Sequence, residues 1–240
     1  MSRAGLRTYK ARPEASRISR TGAVPSGRLK VDGVPRPRTT RSALVVRVSP
    51  SDHGRRMSLA DFDRAAGEPG HLYELNRGVI EVMDIPGIPH GLTIQAARNQ
   101  FTRHQLRKSH ISYNAGGSDC KLLLPGIQSE RHPDLAIYLN EPPEGMDQPW
   151  DTWVPAIVIE IVSGGQEARD YEDKRADYLA AGVMEYWIID PQAQSMLVLK
   201  RRGDVWIEQR VKRTGKYTTY LIPGFEFDLK SVLAAGKRSR

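Results

Sequence analysis

Cysteine is nearly missing from this chain: the single Cys120 excludes an intrachain disulfide and any cysteine-rich zinc site, and so agrees with a reducing compartment. No run approaches the roughly 18 apolar residues of a membrane span, and the N-terminus lacks the apolar core of a secretory signal. A soluble, cytoplasmic protein is the expectation. Also absent are a G-x-S-x-G nucleophile turn, a P-loop and a dinucleotide-binding glycine motif, which sets aside three common enzyme classes. Cys120 lies in a strand-like run and suits no nucleophile role. Aromatics reach 7% and apolar residues 39%, lean enough that part of the length should stay outside the core.

Charge shows which part. The first 50 residues of the 240 hold twelve Lys or Arg against two acids, Glu14 and Asp32, a net +10. The whole chain carries +8, and subtracting +10 leaves the remainder at −2. The basic excess that would suggest nucleic acid is therefore confined to the leading segment. Residues 1–56 are rich in Arg, Ser, Thr, Pro and Gly and are expected to form a disordered basic extension. Two other readings exist: Met57 is the biological start, or the segment is a targeting peptide, against which its prolines argue. The body, 57–230, is expected as one domain, followed by a basic tail at 231–240.

In the body the hydrophobic period switches between helix and strand. Ser58 as N-cap predicts a short helix over 58–66, and 71–76 with 78–83 predict a hairpin turning at Arg77 and Gly78. A helix over 90–108 follows, with Ile94, Ala97 and Phe101 at helical spacing. Strand-like runs come at 111–114, 119–124, 133–139 and 155–162, the last an almost purely apolar PAIVIEIV. A helix over 169–181 ends at Gly182, and strands over 184–190, 195–200, 205–212 and 217–222 complete a mixed sheet flanked by helices, an α/β (α+β) domain.

Glu160 interrupts the central apolar run, and an unpaired buried carboxylate costs several kcal/mol, so something must compensate it. Alternation puts Val158, Glu160 and Val162 on one face and Ile157, Ile159 and Ile161 on the other. Asp134 opens PDLAIYL with Ala136 and Tyr138 on its face, and Glu74 sits within another apolar-flanked strand. Each acid alone has an ordinary structural explanation: an ion pair, a turn, a solvent-facing position. Three carboxylates around one sheet would together suit a hard divalent cation such as Mg²⁺. Lys174, four residues after Asp170 and sharing a helix face with it and Tyr178, is either a common helix ion pair or a cation leaning over the same cleft.

These residues together resemble the PD-(D/E)XK nuclease superfamily, and within it the bacterial restriction-endonuclease family labelled Uma-two. The likeness runs through YELNRGVIEVM, PHGL, RHPDLAIY, PAIVIEIVS, DYEDKRADYLAAGVMEYWIIDP and LIPGFEFDL, from about Met57 to Leu229. It implies a restriction-endonuclease-like fold and a DNA endonuclease with Glu74, Asp134, Glu160 and Lys174 as its site. Asp134 and Glu160 would hold Mg²⁺ or Mn²⁺, Glu74 would complete or orient the metal shell, and Lys174 would orient the attacking water or stabilise the developing charge. The E-x-K lysine is replaced by Val162, so the helix residue Lys174 takes its place, and Gly164 and Gly165 follow Ser163 where the family often has Pro. DNA is the implied partner, with His90, Arg98, Arg103, Arg107 and Lys108 as candidate backbone contacts; enzymes of this fold are often homodimers. Tyr186, Trp187 and Asp190 also match the family but read as structural. Two other functions remain in view: an inactive nuclease-fold DNA-binding module, and a protein that binds nucleic acid through its basic extension.

Overall fold

The computed structural model describes residues 46–164 and 169–237. In chain order the elements are β1 (Arg47–Val48), α1 (Leu59–Asp63), β2 (Ala66–Gly67), β3 (His71–Asn76), β4 (Val79–Asp84), α2 (Ile88–Gln105), β5 (Tyr113–Ala115), β6 (Leu122–Leu124), β7 (Ser129–Arg131), β8 (Leu135–Tyr138) and β9 (Ile157–Ile161). Then come α3 (Lys174–Ala181), β10 (Glu185–Asp190), β11 (Ser195–Arg202), β12 (Val205–Lys212), β13 (Lys216–Tyr217), β14 (Phe227–Asp228) and α4 (Leu229–Ala235).

The main sheet has six strands in the order β12-β11-β10-β9-β8-β5, with β9 and β10 parallel and every other neighbour antiparallel. Parallel pairing needs a crossover, and the segment containing α3 supplies it. Alternation in the central strands sends Ile157, Ile159, Ile161, Trp187 and Ile189 to one face, where they pack against Ala97 and Phe101 of α2 and Leu229 and Val232 of α4. Val158, Tyr186 and Ile188 point the other way and meet Tyr178 of α3. A second antiparallel sheet, β4-β3-β7-β6, packs under α1 through Leu75, Ile80, Leu59 and Phe62. Its β3–β4 hairpin turns at Arg77 and Gly78, both with positive φ, as a tight two-residue turn requires. Gly182 closes α3 in the left-handed conformation at φ 93°.

The structure corrects the expected boundaries. Residues 46–56 are ordered rather than disordered: β1 pairs in parallel with β2, Val48 is 1% exposed against Leu59 and Phe62, and Arg56 bridges to Val79. The expectation for residues 1–45 lies outside the described residues. The tail expected at 231–240 begins instead inside α4, whose N-cap Asp228 accepts from the Ser231 backbone and which buries Leu229, Val232 and Leu233; 238–240 lie outside the described residues. The strand expected at 217–222 shrinks to Lys216–Tyr217, because Ile222 and Phe225 reach the core from turns. β7 was not expected at all. The helix expected at 90–108 spans Ile88–Gln105, and the one expected at 169–181 opens as a wide π-type turn, Arg169–Asp173, before α3.

Cys120 is packed with Ala136, Tyr138 and Trp153, and burial pushes its thiol up to about 12. At neutral pH the thiolate fraction falls about a thousandfold below that of a free cysteine. Iodoacetamide should therefore label the native protein at least about a thousandfold more slowly than the urea-unfolded chain; equal rates, followed by mass spectrometry, would contradict this packing.

Candidate active site

The register of β8 on β9 pairs Leu135 with Ile159 and Ala136 with Val158, which sets Asp134 opposite Glu160 at the strand ends. Such cross-strand neighbours share a face. The Ile161 N–H donates to Asp134 Oδ2 at 2.7 Å, and the Asp134 N–H approaches Glu160 Oε2 at 3.5 Å. His90, in the first turn of α2, lies with Nε2 at 3.1 Å from Asp134 Oδ1. Burial opposes protonation of His90, but the hydrogen bond and charge of Asp134, with Glu160 and Asp170 beyond, raise its pKa above the ordinary value. Gly116, at the end of β5, permits the close approach of chains here: a Cβ would stand 2.0 Å from the Asp134 carbonyl oxygen.

The helix after β9 delivers the cation. Lys174 Nζ lies 3.0 Å from both Glu160 Oε1 and Asp170 Oδ1, and the Tyr178 hydroxyl donates to Glu160 Oε1 at 2.5 Å. Asp170, Lys174 and Tyr178 thus share the face that their spacing suggested. Burial pushes the Glu160 carboxyl up to about 8 against the pull of Lys174, with Asp134, Asp170 and Glu74 adding to the rise. Burial disfavours the charged Lys174, yet Glu160, Asp170 and Glu74 outweigh it and raise its pKa. Lys174 is therefore held as an ammonium, and burial holds the Glu160 carboxyl above the usual carboxylate range.

Glu74 is held differently. Its Oε2 accepts from Arg131 at 3.1 Å and from Arg169, while its Oε1 accepts the His132 N–H at 3.0 Å. Burial works against its charge, but Lys174, Arg169 and Arg131 bring the carboxyl down to about 2. Arg169 also reaches Glu81, with Nε at 3.1 Å from Oε2. Neither guanidinium was expected. Arg131 stands inside the quoted RHPDLAIY run without an assigned role, and nothing in the polar stretch around Arg169 marks it.

Glu74, His90, Asp134, Glu160 and Lys174 all line one cavity of about 240 Å³, with Arg169 among its walls. Four residues expected as catalytic and one expected DNA contact are thereby brought together. The other expected contacts are not. Arg98 turns to the Gly116 carbonyl and to Asp119, and exposed Arg103 and Arg107 line a separate groove with Phe225; Lys108 lies beyond the end of α2. Tyr186 donates to the Asp170 carbonyl, Trp187 is core, and Asp190 Oδ1 accepts from the N–H groups of Gln192 and Ala193.

A hard divalent cation fits the donors at this site. Asp134 and Glu160 offer carboxylate oxygens on adjacent strands, and burial with the neighbouring acids disfavours the charged form of Glu160, which a bound cation would favour. Among the described residues no group of three or more His, Cys, Asp or Glu is arranged to hold a metal.

A mixed sheet covered by helices on both faces, with acids at the ends of its central strands, is a restriction-endonuclease-like fold. A family model described as "putative restriction endonuclease" matches residues 59–230. The chain belongs to this family, Uma2. The crystal structure of a "putative nuclease belonging to DUF820" from Anabaena variabilis is similar with a TM-score of 0.62 and 14% identity, over 75% of this chain and 99% of that one. No curated protein matches the chain. Among the described residues no helix is long and apolar enough to cross a membrane.

Proposed function

We propose that the chain is a divalent-metal-dependent endonuclease that hydrolyses DNA phosphodiester bonds in the cavity between β3, β9 and α3. The observation that carries this reading is Glu160: a buried carboxyl at a central strand end, opposite Asp134 and 3.0 Å from a charged lysine. Asp134 and Glu160 would hold the cation. Mg²⁺ or Mn²⁺ bound there supplies positive charge at the scissile phosphate and a more acidic water.

The chain's own groups then have distinct tasks. Lys174, protonated at neutral pH, acts as a cation rather than a base, holding Glu160 in place and facing charge that develops on the phosphate oxygens. His90 fixes the orientation of Asp134 through their hydrogen bond. Arg169, anchored on Glu74 and Glu81, puts a guanidinium into the cavity wall where a phosphate oxygen would lie. Membership in a family described as restriction endonucleases supports this reading.

The test is incubation of the purified chain with duplex and single-stranded DNA in Mg²⁺, Mn²⁺ or EDTA. Cleavage only with the divalent ions is expected. Binding without cleavage under every condition would favour an inactive DNA-binding module, and binding abolished by deleting residues 1–45 would favour the basic extension as the functional part.

A further inference from the structure

A second cavity, of about 310 Å³, opens on the opposite face of the small sheet, under α1 and β1. It shares Leu72, Glu74, Met83, His132 and Asp134 with the acidic cleft, so the two meet at the sheet edge. Its interior chemistry differs. Alternation along β3 turns His71, Tyr73 and Leu75 to this side, and the pairing of Leu75 with Glu130 puts the Glu130 side chain on the same face. Val48, Phe62 and the Tyr73 ring supply apolar and aromatic walls. The ring is held from behind by Gly67, where a Cβ would meet it at 2.8 Å.

Three polar atoms of residues lining this cavity lack partners among the described residues: Glu130 Oε2, His71 Nδ1 and the Tyr73 hydroxyl. Glu130 is 4% exposed, and its Oε1 accepts from His132 Nε2 at 2.9 Å while Oε2 has no hydrogen bond among the described residues. His71 Nδ1 is likewise buried and unpaired. A buried carboxylate oxygen without a donor is costly, and a ligand N–H would relieve it. Lys121, paired with Asp63, stands with Nζ 3.7 Å from Glu130 Oε1, so donors and acceptors lie together at this end. The volume lies at the small end of ligand pockets, and flat apolar walls with mixed donors and acceptors at one end suit a planar heterocycle. A phosphate would be repelled by Glu130, but Arg169 and Lys174 wait for one across the shared rim.

We propose that this cavity is a nucleobase subsite: it receives one unstacked base of the strand whose phosphate occupies the acidic cleft, and Glu130 accepts from an N–H on that base's edge. This rests on the nuclease reading. A base buried this deeply has left its stack, so strands with an unpaired base next to the scissile phosphate are bound in preference to perfect duplex.

Base-dependent binding, measured without cleavage, tests it. Labelled single strands carrying an abasic site at successive positions are titrated with the full chain in EDTA and in Ca²⁺, following fluorescence anisotropy. At one position, loss of the base should weaken binding by about tenfold or more. Ala65→Leu, which fills this cavity and lies outside the cleft, should abolish that difference, and Glu130→Gln, which replaces an acceptor by a donor, should erase the preference among bases there. Circular dichroism reports whether each variant is folded; if Ala65→Leu is not, Glu130→Gln decides. Equal binding of every abasic strand, or base dependence unchanged in a folded filled variant, overturns the subsite. Cleavage without base dependence would remove this proposal alone, whereas base dependence without any metal-dependent cleavage would leave the subsite standing and remove the nuclease.

Discussion

Lys174→Met should lower divalent-dependent DNA cleavage by about 10² to 10³-fold, the usual loss when one group facing transition-state charge is removed. The variant retains most of the buried stem but leaves Glu160 and Asp170 without the cation that lies 3.0 Å from each. Their carboxyls, already raised by burial, then take up protons rather than persist as unpaired charges. The protein should stay folded with a lower Tm. Glu160→Gln makes the complementary test. It preserves shape, leaves Lys174 paired with Asp170, and removes a carboxyl whose charge burial disfavours, so in EDTA its Tm should equal or exceed that of the native chain. Mg²⁺ should raise the native Tm by mass action and leave that of Glu160→Gln unchanged, and cleavage should vanish. If Glu160 were only half of a structural ion pair, the same substitution would cost about 3 to 5 kcal/mol and activity would fall only with the folded fraction. Calorimetry and plasmid nicking on the same preparations separate the two, and a stable Glu160→Gln protein with full metal-dependent cleavage would dispose of this site.

The acids were legible in the sequence because they break an apolar pattern. Glu160 stands out in PAIVIEIV, and two-residue alternation correctly separates Val158 and Val162 from Ile157, Ile159 and Ile161 across the sheet. The cations that complete the cleft are illegible for the opposite reason. Arg131 and Arg169 lie in polar stretches, and their partner Glu74 is 57 and 95 residues away in sequence, so only the folded register shows what they hold. The three residues of β7 are Ser, Glu and Arg, all buried. Burial by ion pairing leaves no hydrophobic signal, and hence no expected strand. β1 escaped because its partner β2 is two residues long, too short for any period. α4 is a different failure: Leu229, Val232 and Leu233 do stand at helical spacing after an Asp cap, but the basic residues that follow suggested a tail.

Arg131→Met should destabilise the protein by about 3 to 5 kcal/mol at neutral pH, the cost of leaving a buried ion pair without one partner. Arg131 is fully buried; its Nε and NH2 meet Asp177 Oδ2 at 3.0 and 2.7 Å and its NH1 meets Glu74 Oε2 at 3.1 Å. Through these bonds it joins β7, β3 and α3, the helix that carries Lys174. Asp177 is equally buried, and its remaining partner, Arg77, is largely in solvent, so little else offsets its charge. The effect should depend on pH with a definite sign. Glu74 is held at about 2 in the fold, below its unfolded value near 4.5, so its contribution to stability is complete above pH 4.5 and is lost as pH falls toward 2. Removing Arg131 weakens that depression. The gap between native chain and variant should therefore be full at pH 7 and narrow progressively below pH 4.5. Asp177→Asn on the Arg131→Met background should cost less than Asp177→Asn alone, since each single change strands a charge that the double change removes. Urea unfolding of the four proteins at pH 7 and pH 3 measures both effects. A shift below about 1 kcal/mol at pH 7, or one of equal size at the two pH values, would show that Arg131 is not what ties the small sheet to α3.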